Sequence, residues 1–454
     1  MSDIALSRLD ALGLDSQSEC GSHATAPNYA PSATTGASIA ALPPVDRGRD
    51  AYLFLAAATT IEILMWGLPF SVGVLHSYWI TELFPAGTSG LGILTVASTL
   101  QYCSAVVLGP LLIRYPQHRL RMQQGGLVIS VASLLLSAFA TKPWHLLISI
   151  GLLYPFSALL YYPAPTLLFQ WFQAKGGLAS GIMYSGTGAG GTVFPFILQG
   201  LISRLGYRGG LIGLAIGYGI LGAISLPFIK PRIPLPPKNS MDARRARQID
   251  RAIFKRSTFW AFSGCILLSS FGNFVPSIFV PSFALDLNLT QNDGTLLIAV
   301  MNAASVPGLL ALGWLSDRYP PRILITLSCT GSALACFFLW GFAKNIELLS
   351  VFVIVFGALG LSFTALWTKL ISVIVRDDPN GAMAVFAVFA FARGCGNIAS
   401  GPISSVLLAN NQLAGGKGGY GVTDYGSLLL YTGLTLVAGS FVGVMYRDSP
   451  KPNT

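Results

Sequence analysis

Long apolar runs recur along the whole chain, and they constrain its fold more than any other feature. Each run has roughly 20 residues, enough for a helix that crosses a hydrocarbon core about 30 Å thick. Only 10% of the 454 residues are charged and 53% are hydrophobic. Soluble domains average about 25% charged residues. The chain is therefore predicted to be an all-α membrane protein that crosses the bilayer several times.

A basic segment separates six apolar runs from six that follow. Nine lysines and arginines lie between Lys230 and Arg256, opposed by two aspartates. Basic loops are retained in the cytoplasm. With this loop inside, 20 basic residues fall in inner segments and five in outer loops, which predicts cytoplasmic termini. The predicted parts are a disordered tail (1–48), a six-helix half (49–229), a basic central loop (230–257), a second six-helix half (258–446) and a short tail (447–454).

The two halves share a short repeat. Residues 108–116 read LGPLLIRYP and residues 312–320 read LGWLSDRYP, and each copy ends the second apolar run of its half. Two parallel six-span halves are a known plan for transporters, which bind their substrates between the halves near the bilayer midplane. The repeat therefore predicts two related halves with a site between them.

The second copy carries a recognisable loop motif. Gly313 to Arg318, followed by Arg322, resembles the G-x-L-x-D-R-x-x-x-R loop of the major facilitator superfamily. The resemblance implies twelve transmembrane helices that alternate access to a central site. Asp317 can cap an adjacent helix end and pair with a loop arginine. Gly313, Asp317, Arg318 and Arg322 are thus predicted to form a latch, with an ordinary charged loop as the alternative. In the first half Ile113 replaces the aspartate.

Further motifs resemble the monocarboxylate-transporter-like branch, especially its fungal members. They are WFQAKGGLASG at 171–181, DRGRDA at 46–51 and WGLPFS at 66–71. The animal lactate carriers use a lysine in the first span, where this chain has Phe70. They also use an aspartate and an arginine in the eighth span, where it has Ser305 and Leu309. Proton–lactate symport is therefore not expected.

Few charges lie inside the predicted spans. Glu62 and Arg393 each fall about half-way along an apolar run, and buried charges in lipid are usually paired or functional. We predict that both face the central path, where Arg393 holds an anionic group and Glu62 titrates or partners it. The alternative is a purely structural role, as an ion pair or in contacts to helix backbone. Lys369 lies nearer a span end, where it either contacts substrate or extends to the interface.

Aromatic residues in spans one, four and ten complete the predicted site. The resemblance implies that these spans line the cavity, and aromatic walls would suit a planar or apolar metabolite. The candidates are Trp66, Phe70, Tyr161, Tyr162 and Trp367. Helix packing or interface anchoring is the alternative for each. Glycines cluster in spans five and eleven, where small residues let helices pack closely and slide.

Other function classes lack their sequence signatures. The four histidines and six cysteines show no metal-ligand spacing, and no nucleotide-binding or nucleic-acid-binding motif occurs. We expect no enzyme activity and no cofactor. The chain is predicted to be a monomeric secondary active or facilitative carrier of a small organic solute, monocarboxylate-like or a secondary metabolite, in the plasma membrane. Alternatives are a proton-coupled efflux pump for a secondary metabolite or toxin, and a receptor that binds solute without moving it.

Overall fold

The computed structural model describes residues 42–84, 97–234, 251–375, 381–410 and 420–446. Within these ranges the regular structure is entirely helical. Residues 1–41 of the predicted N-terminal tail, 235–250 of the predicted central loop and the predicted C-terminal tail lie outside the described residues. The domain boundaries given above stay predictions.

The first half contains six helical segments, which we number α1 to α6. Their bounds are α1 Arg49–Tyr78, α2 Ala97–Cys103 and Ala105–Arg114, α3 Arg119–Ala138, α4 Pro143–Trp171, α5 176–205 and α6 207–225. Helices α5 and α6 follow each other directly and are separated by a kink at Gly206, where φ is 70° and ψ is 174°. Glycine adopts this conformation because it has no Cβ.

The second half contains segments α7 to α12. Their bounds are α7 Ser257–Asp286, α8 Gln291–Ser316, α9 Pro321–Trp340, α10 Ile346–Val375, α11 Gly381–Ala409 and α12 Gly426–Val444. Helix α10 contains a 3-10 segment, Leu361–Leu366, at mid-length. Helix α8 begins with a capping box in which the side chains of Thr290 and Asp293 each accept a backbone N–H of the other.

Nine stretches of the described residues are long and apolar enough to cross a membrane. The longest, Gly176–Phe228, has 53 residues. At 1.5 Å per residue it would be about 80 Å long, so the break at Gly206 separates two membrane-length helices. Within the described residues α2 contributes a shorter apolar helix, Thr99–Arg114, and α3 begins with two arginines. The count of twelve crossings stays a prediction.

Two close helix pairs join the halves. Helix α5 packs along α8, and α2 packs along α11. A Cβ atom built on Gly181 would lie 2.4 Å from the carbonyl oxygen of Leu309, and one built on Gly394 would lie 2.6 Å from the sulfur of Cys103. These helices can approach so closely only because glycine has no side chain there. The predicted role of the glycine clusters in helix packing agrees with this geometry.

Candidate functional site

A cavity of about 50 Å³ lies between the halves, near the middle of the helices that line it. Binding sites for organic ligands usually have roughly 300–1,000 Å³. The walls must therefore move apart before an organic solute can fit. The first half contributes α1, α2, α4 and α5, and the second contributes α8, α10 and α11. The lining residues are Glu62, Phe70, Tyr102, Tyr161, Tyr184, Thr187, Asn302, Ser305, Leu309, Leu361, Thr364, Trp367 and Arg393.

Glu62 is a buried carboxyl group with one oxygen unpaired. Its side chain is 1% exposed. The Thr187 hydroxyl on α5 donates a hydrogen bond of 2.7 Å to Oε1, whereas Oε2 has no hydrogen-bond partner. Helix α5 comes close enough for this bond because Gly186 has no side chain; a Cβ atom added there would lie only 2.9 Å from the Cβ of Glu62. A buried carboxyl oxygen without a partner is costly, so Oε2 is available to a proton, a water or a ligand.

Arg393, on α11, is a second buried charge that lines the cavity. Its side chain is 8% exposed, and its guanidinium carbon lies 5.6 Å from the ring centroid of Tyr102. The Nε atom has no hydrogen-bond partner. Arg393 and Glu62 line the same cavity but form no ion pair within 4 Å, although both belong to the described part of the chain. The structural ion pair, one alternative from the sequence, is therefore absent from this conformation.

Aromatic rings connect the two charged groups. The rings of Trp66 and Tyr102 lie 4.6 Å apart, and those of Tyr102 and Trp367 lie 6.5 Å apart. Phe386 lies 5.8 Å from Trp367 and 6.1 Å from Tyr161. The indole nitrogen of Trp367 is buried without an acceptor. The cavity wall thus combines flat apolar surfaces with an unpaired N–H donor.

Five of the eight residues predicted for the site line the cavity. They are Glu62, Phe70, Tyr161, Trp367 and Arg393. Three are not among the lining residues. Trp66 packs on Tyr102 and lies beside Glu62, Tyr162 donates its hydroxyl to the carbonyl oxygen of Gln101 at 2.6 Å, and Lys369 is half-buried.

Sequence reasoning missed several lining residues, among them Tyr102, Tyr184, Thr187, Asn302 and Thr364. Their type gave no signal, because tyrosine, threonine and asparagine are common in packed helices. Ser305 and Leu309 carried a partial signal. They occupy positions where the resemblance expected charged groups, and with Phe70 they leave this part of the wall uncharged.

Asp317 joins the halves at the predicted cytoplasmic side. Its Oδ1 accepts the N–H of Gly177 at 2.7 Å, and its Oδ2 accepts that of Leu178 at 2.9 Å. Both amides belong to the first turn of α5, whose N-cap residue, Lys175, makes no side-chain capping bond. A carboxylate satisfies the free amides of a helix N-terminus and interacts favourably with its dipole. We call this contact the Asp317 cap.

The other predicted latch residues divide into two groups. Gly313 reaches the opposite half, because a Cβ there would lie 2.5 Å from the carbonyl oxygen of Gly177. Arg318 instead stacks on Trp314 within its own half, 3.5 Å from the ring centroid. Arg322 donates to the carbonyl oxygen of Tyr446 at 2.6 Å. Neither arginine forms the expected ion pair with Asp317, because each is occupied by another partner.

Comparisons with known proteins agree with this architecture. The chain is 26% identical over 413 residues to "MFS-type transporter pynF" of Aspergillus niger, covering 88% of this chain and 91% of the relative. It is 28% identical over 288 residues to "Aspyridones efflux protein apdF" of Emericella nidulans, covering 62% and 57%. The solved proton:xylose symporter XylE superposes with a TM-score of 0.67 at 12% identity, covering 86% of this chain and 94% of XylE.

A family model sets the classification. The model of the Major Facilitator Superfamily matches residues 52–409. This match includes every helix that lines the cavity and the loop that carries Asp317. Membership of the monocarboxylate-like branch stays a prediction. Because the family model matches most of the chain, the chain belongs to the major facilitator superfamily, as a multi-pass membrane transporter of small molecules rather than an enzyme.

Proposed function

We propose that the chain moves a small organic solute through the cavity between its halves by alternating access. One observation carries this proposal: three buried groups that line this single cavity, the Glu62 carboxyl, the Arg393 guanidinium and the Trp367 indole N–H, each keep an unpaired hydrogen-bonding atom. Unpaired buried polar groups are costly, so three of them around one cavity favour a ligand that completes their hydrogen bonds. The groups come from both halves, so a bound solute would contact both.

The chemistry of the wall favours a particular solute. Arg393 offers a cation and Trp367 a neutral donor, and the rings of Tyr102, Tyr161 and Trp367 offer flat apolar surfaces. A solute with an anionic or acceptor group and a planar or conjugated body would use all of them. A small hydrophilic carboxylate would leave the aromatic surface uncovered. We therefore favour a secondary metabolite over a lactate-like monocarboxylate.

Export is the direction favoured by the relatives. Two of them are named efflux proteins, for aspyridones and for fujikurins. Proton coupling would act through Glu62, which lines the same cavity as Arg393 and has one oxygen without a hydrogen-bond partner. We further propose that the chain works as a monomer in the lipid bilayer of the plasma membrane, with both termini in the cytoplasm. The excess of basic residues in the predicted inner segments supports this orientation.

The conformational cycle would centre on the Asp317 cap. The cap closes the predicted cytoplasmic side, and the cavity is too small for an organic solute. Opening must therefore separate α5 from α8 at this end. The close glycine contacts along that pair allow such a separation without moving side chains out of the way.

Transport in proteoliposomes tests the proposal. The purified full-length chain is reconstituted and offered a panel of metabolites, including conjugated acids, with and without a proton gradient. Saturable flux of at least one solute supports the proposal, and dependence on the gradient adds proton coupling. Binding without flux for every bound solute would instead indicate the receptor.

A charge exchange separates substrate chemistry from ion pairing. Because Glu62 and Arg393 form no ion pair in the structure, the double variant Glu62→Arg/Arg393→Glu should not restore flux that either single change removes. Restored flux in the double variant would show that the two charges act as a pair and would contradict their proposed separate roles.

A further inference from the structure

Asp46, just before α1, lies in a small cluster of contacts that the proposed function does not use. Its Oδ1 accepts the N–H groups of Gln173 and Lys175, and its Oδ2 accepts that of Ala174, each at 3.0 Å. Three successive amides therefore converge on one carboxylate. Such a concave group of N–H donors holds an anion firmly.

The same turn leads directly into the Asp317 cap. Helix α5 begins at Gly176, and its amides at Gly177 and Leu178 bind Asp317 of the other half. Within residues 173–178, five amides thus bind two carboxylates, Asp46 from just before α1 and Asp317 from the second half. Only Gly176 separates the last amide that binds Asp46 from the first that binds Asp317, so holding the turn limits where the next two amides can lie.

The carboxylate of Asp46 is itself fixed in place. Its backbone has a φ of 59°, a left-handed conformation that costs most residues energy but that aspartate and asparagine tolerate. Its own N–H donates to the carbonyl oxygen of Trp171 at 2.9 Å. Arg232, after α6, donates to the carbonyl oxygen of Pro43 at 2.7 Å. An unfavourable conformation that the surrounding contacts maintain indicates a position with a specific role.

We propose that Asp46 is a positioning residue for the Asp317 cap: it holds the turn before α5 so that the amides of Gly177 and Leu178 meet the carboxylate of the opposite half. Losing the Asp46 carboxylate would then loosen the contact between the halves without touching either partner of that contact. The inference rests on the proposed function only in treating the opening of this cap as a step of transport.

Accessibility at position 180 measures opening directly. Ser180 on α5 is fully buried, and its hydroxyl contacts that of Thr368 on α10 of the other half. A Ser180→Cys reporter in the full-length protein in nanodiscs is labelled with a soluble maleimide. Mass spectrometry follows the peptide that contains position 180, so the native cysteines can remain. The labelling rate then reports how often the halves separate at this side.

The expected rates distinguish positioning from general destabilisation. Asp317→Asn should raise the rate about tenfold, because charged hydrogen bonds at the cap are lost. Asp46→Asn, which keeps the tolerance for left-handed backbone, should raise it about three- to tenfold. Asp50→Asn is the matched control, since Asp50 is exposed in the first turn of α1, and it should change the rate less than about twofold. Equal rates for the Asp46 and Asp50 variants would overturn the proposal.

A double variant and a conservative variant complete the test. If Asp46 acts through the cap, Asp46→Asn/Asp317→Asn should label no faster than Asp317→Asn alone. If the acceleration in the double variant equals the product of the two single accelerations, the two carboxylates act independently, and the proposal is wrong. Asp46→Glu keeps the charge beside Lys175 but moves the carboxylate, so it should still label faster than wild type. A wild-type labelling rate in Asp46→Glu would assign the effect to charge alone. If Asp46→Asn does not fold, this glutamate variant carries the comparison with Asp317→Asn.

The test is independent of solute movement. Labelling reports the separation of the halves and requires no substrate. A protein that opens as expected but transports nothing would contradict the proposed function and leave the role of Asp46 standing. A protein that transports solute while Asp46→Asn labels like Asp50→Asn would do the reverse.

Discussion

Replacing Gly181 with alanine should weaken the closed conformation. An added Cβ would lie 2.4 Å from the carbonyl oxygen of Leu309, whereas ordinary contacts begin at 3.4 Å, so α5 and α8 must separate by about 1 Å. The same shift would lengthen the two bonds of the Asp317 cap from 2.7 and 2.9 Å to about 3.7 and 3.9 Å, beyond hydrogen-bonding distance.

The energetic cost follows from the packing. Forcing one methyl group into a filled contact typically costs about 1–3 kcal/mol, which corresponds to roughly a 5- to 150-fold change in the population of the closed state. Alanine also stabilises a helix relative to glycine by about 1 kcal/mol. That gain applies to open and closed conformations alike, because α5 is helical in both. The shift in the equilibrium should therefore be at least about fivefold towards the open state.

The assay needs a control that shares the gain in helix stability. Gly200 lies in the same helix, and a Cβ built there would meet nothing within 4 Å. Gly181→Ala and Gly200→Ala are each combined with a Thr368→Cys reporter, since Thr368 is 6% exposed and faces Ser180. Maleimide labelling of the reporter should accelerate only for Gly181→Ala. If both glycine variants label at the wild-type rate, α5 and α8 do not pack this closely in the populated state, and the reasoning fails.

Three further predictions address the cavity and the Asp46 carboxylate. Arg393→Met should weaken binding of an anionic solute at least tenfold, because a charged hydrogen bond contributes about 1.5–3 kcal/mol. The control Lys344→Met, at an exposed position, should change the affinity less than twofold. Titration of the purified protein with the solute measures both affinities. Glu62→Gln should abolish any dependence of flux on the proton gradient, yet change the affinity for solute at fixed pH by less than about threefold. Gradient-driven flux in this variant would exclude Glu62 as the proton site. Burial raises the pKa of Asp46, but the three backbone N–H donors outweigh it and hold the pKa below its usual value. The Asp46 carboxylate therefore stabilises the folded protein fully above its ordinary pKa of about 3.9, and this stabilisation is lost only as pH falls through the lower pKa of the folded state. The difference in unfolding temperature between wild type and Asp46→Asn should thus be constant from about pH 5 to pH 8.

The sequence allowed the fold class to be predicted because the bilayer restricts the choice of structure. A segment in hydrocarbon must satisfy its backbone internally, so each long apolar run implies a helix. The loop motif likewise predicted that Asp317 would cap a helix end. Its partner could not be predicted, because the amides of Gly177 and Leu178 lie some 140 residues away and contact Asp317 only after the two halves pack.

The candidate site was predictable where a side chain is unusual for its surroundings. Glu62 and Arg393 are conspicuous because charges are rare inside apolar runs, and both line the cavity. Tyr102 and Thr187 were not conspicuous, although they contact these two charges. Lipid is as apolar as the interior of a helical bundle, so apolarity does not reveal which face of a membrane helix points inward.

By itself, then, the sequence determined the helical membrane architecture, the division into two halves and the charged residues that a bilayer tolerates only for a reason. The tertiary structure decided which atoms meet: that Thr187 donates to Glu62, that Arg393 lies over Tyr102 instead of pairing with Glu62, and that Asp46 and Asp317 converge on one turn. Periodic apolarity sets helix length and number, whereas the rotation and depth of each helix depend on close packing between segments far apart in the chain.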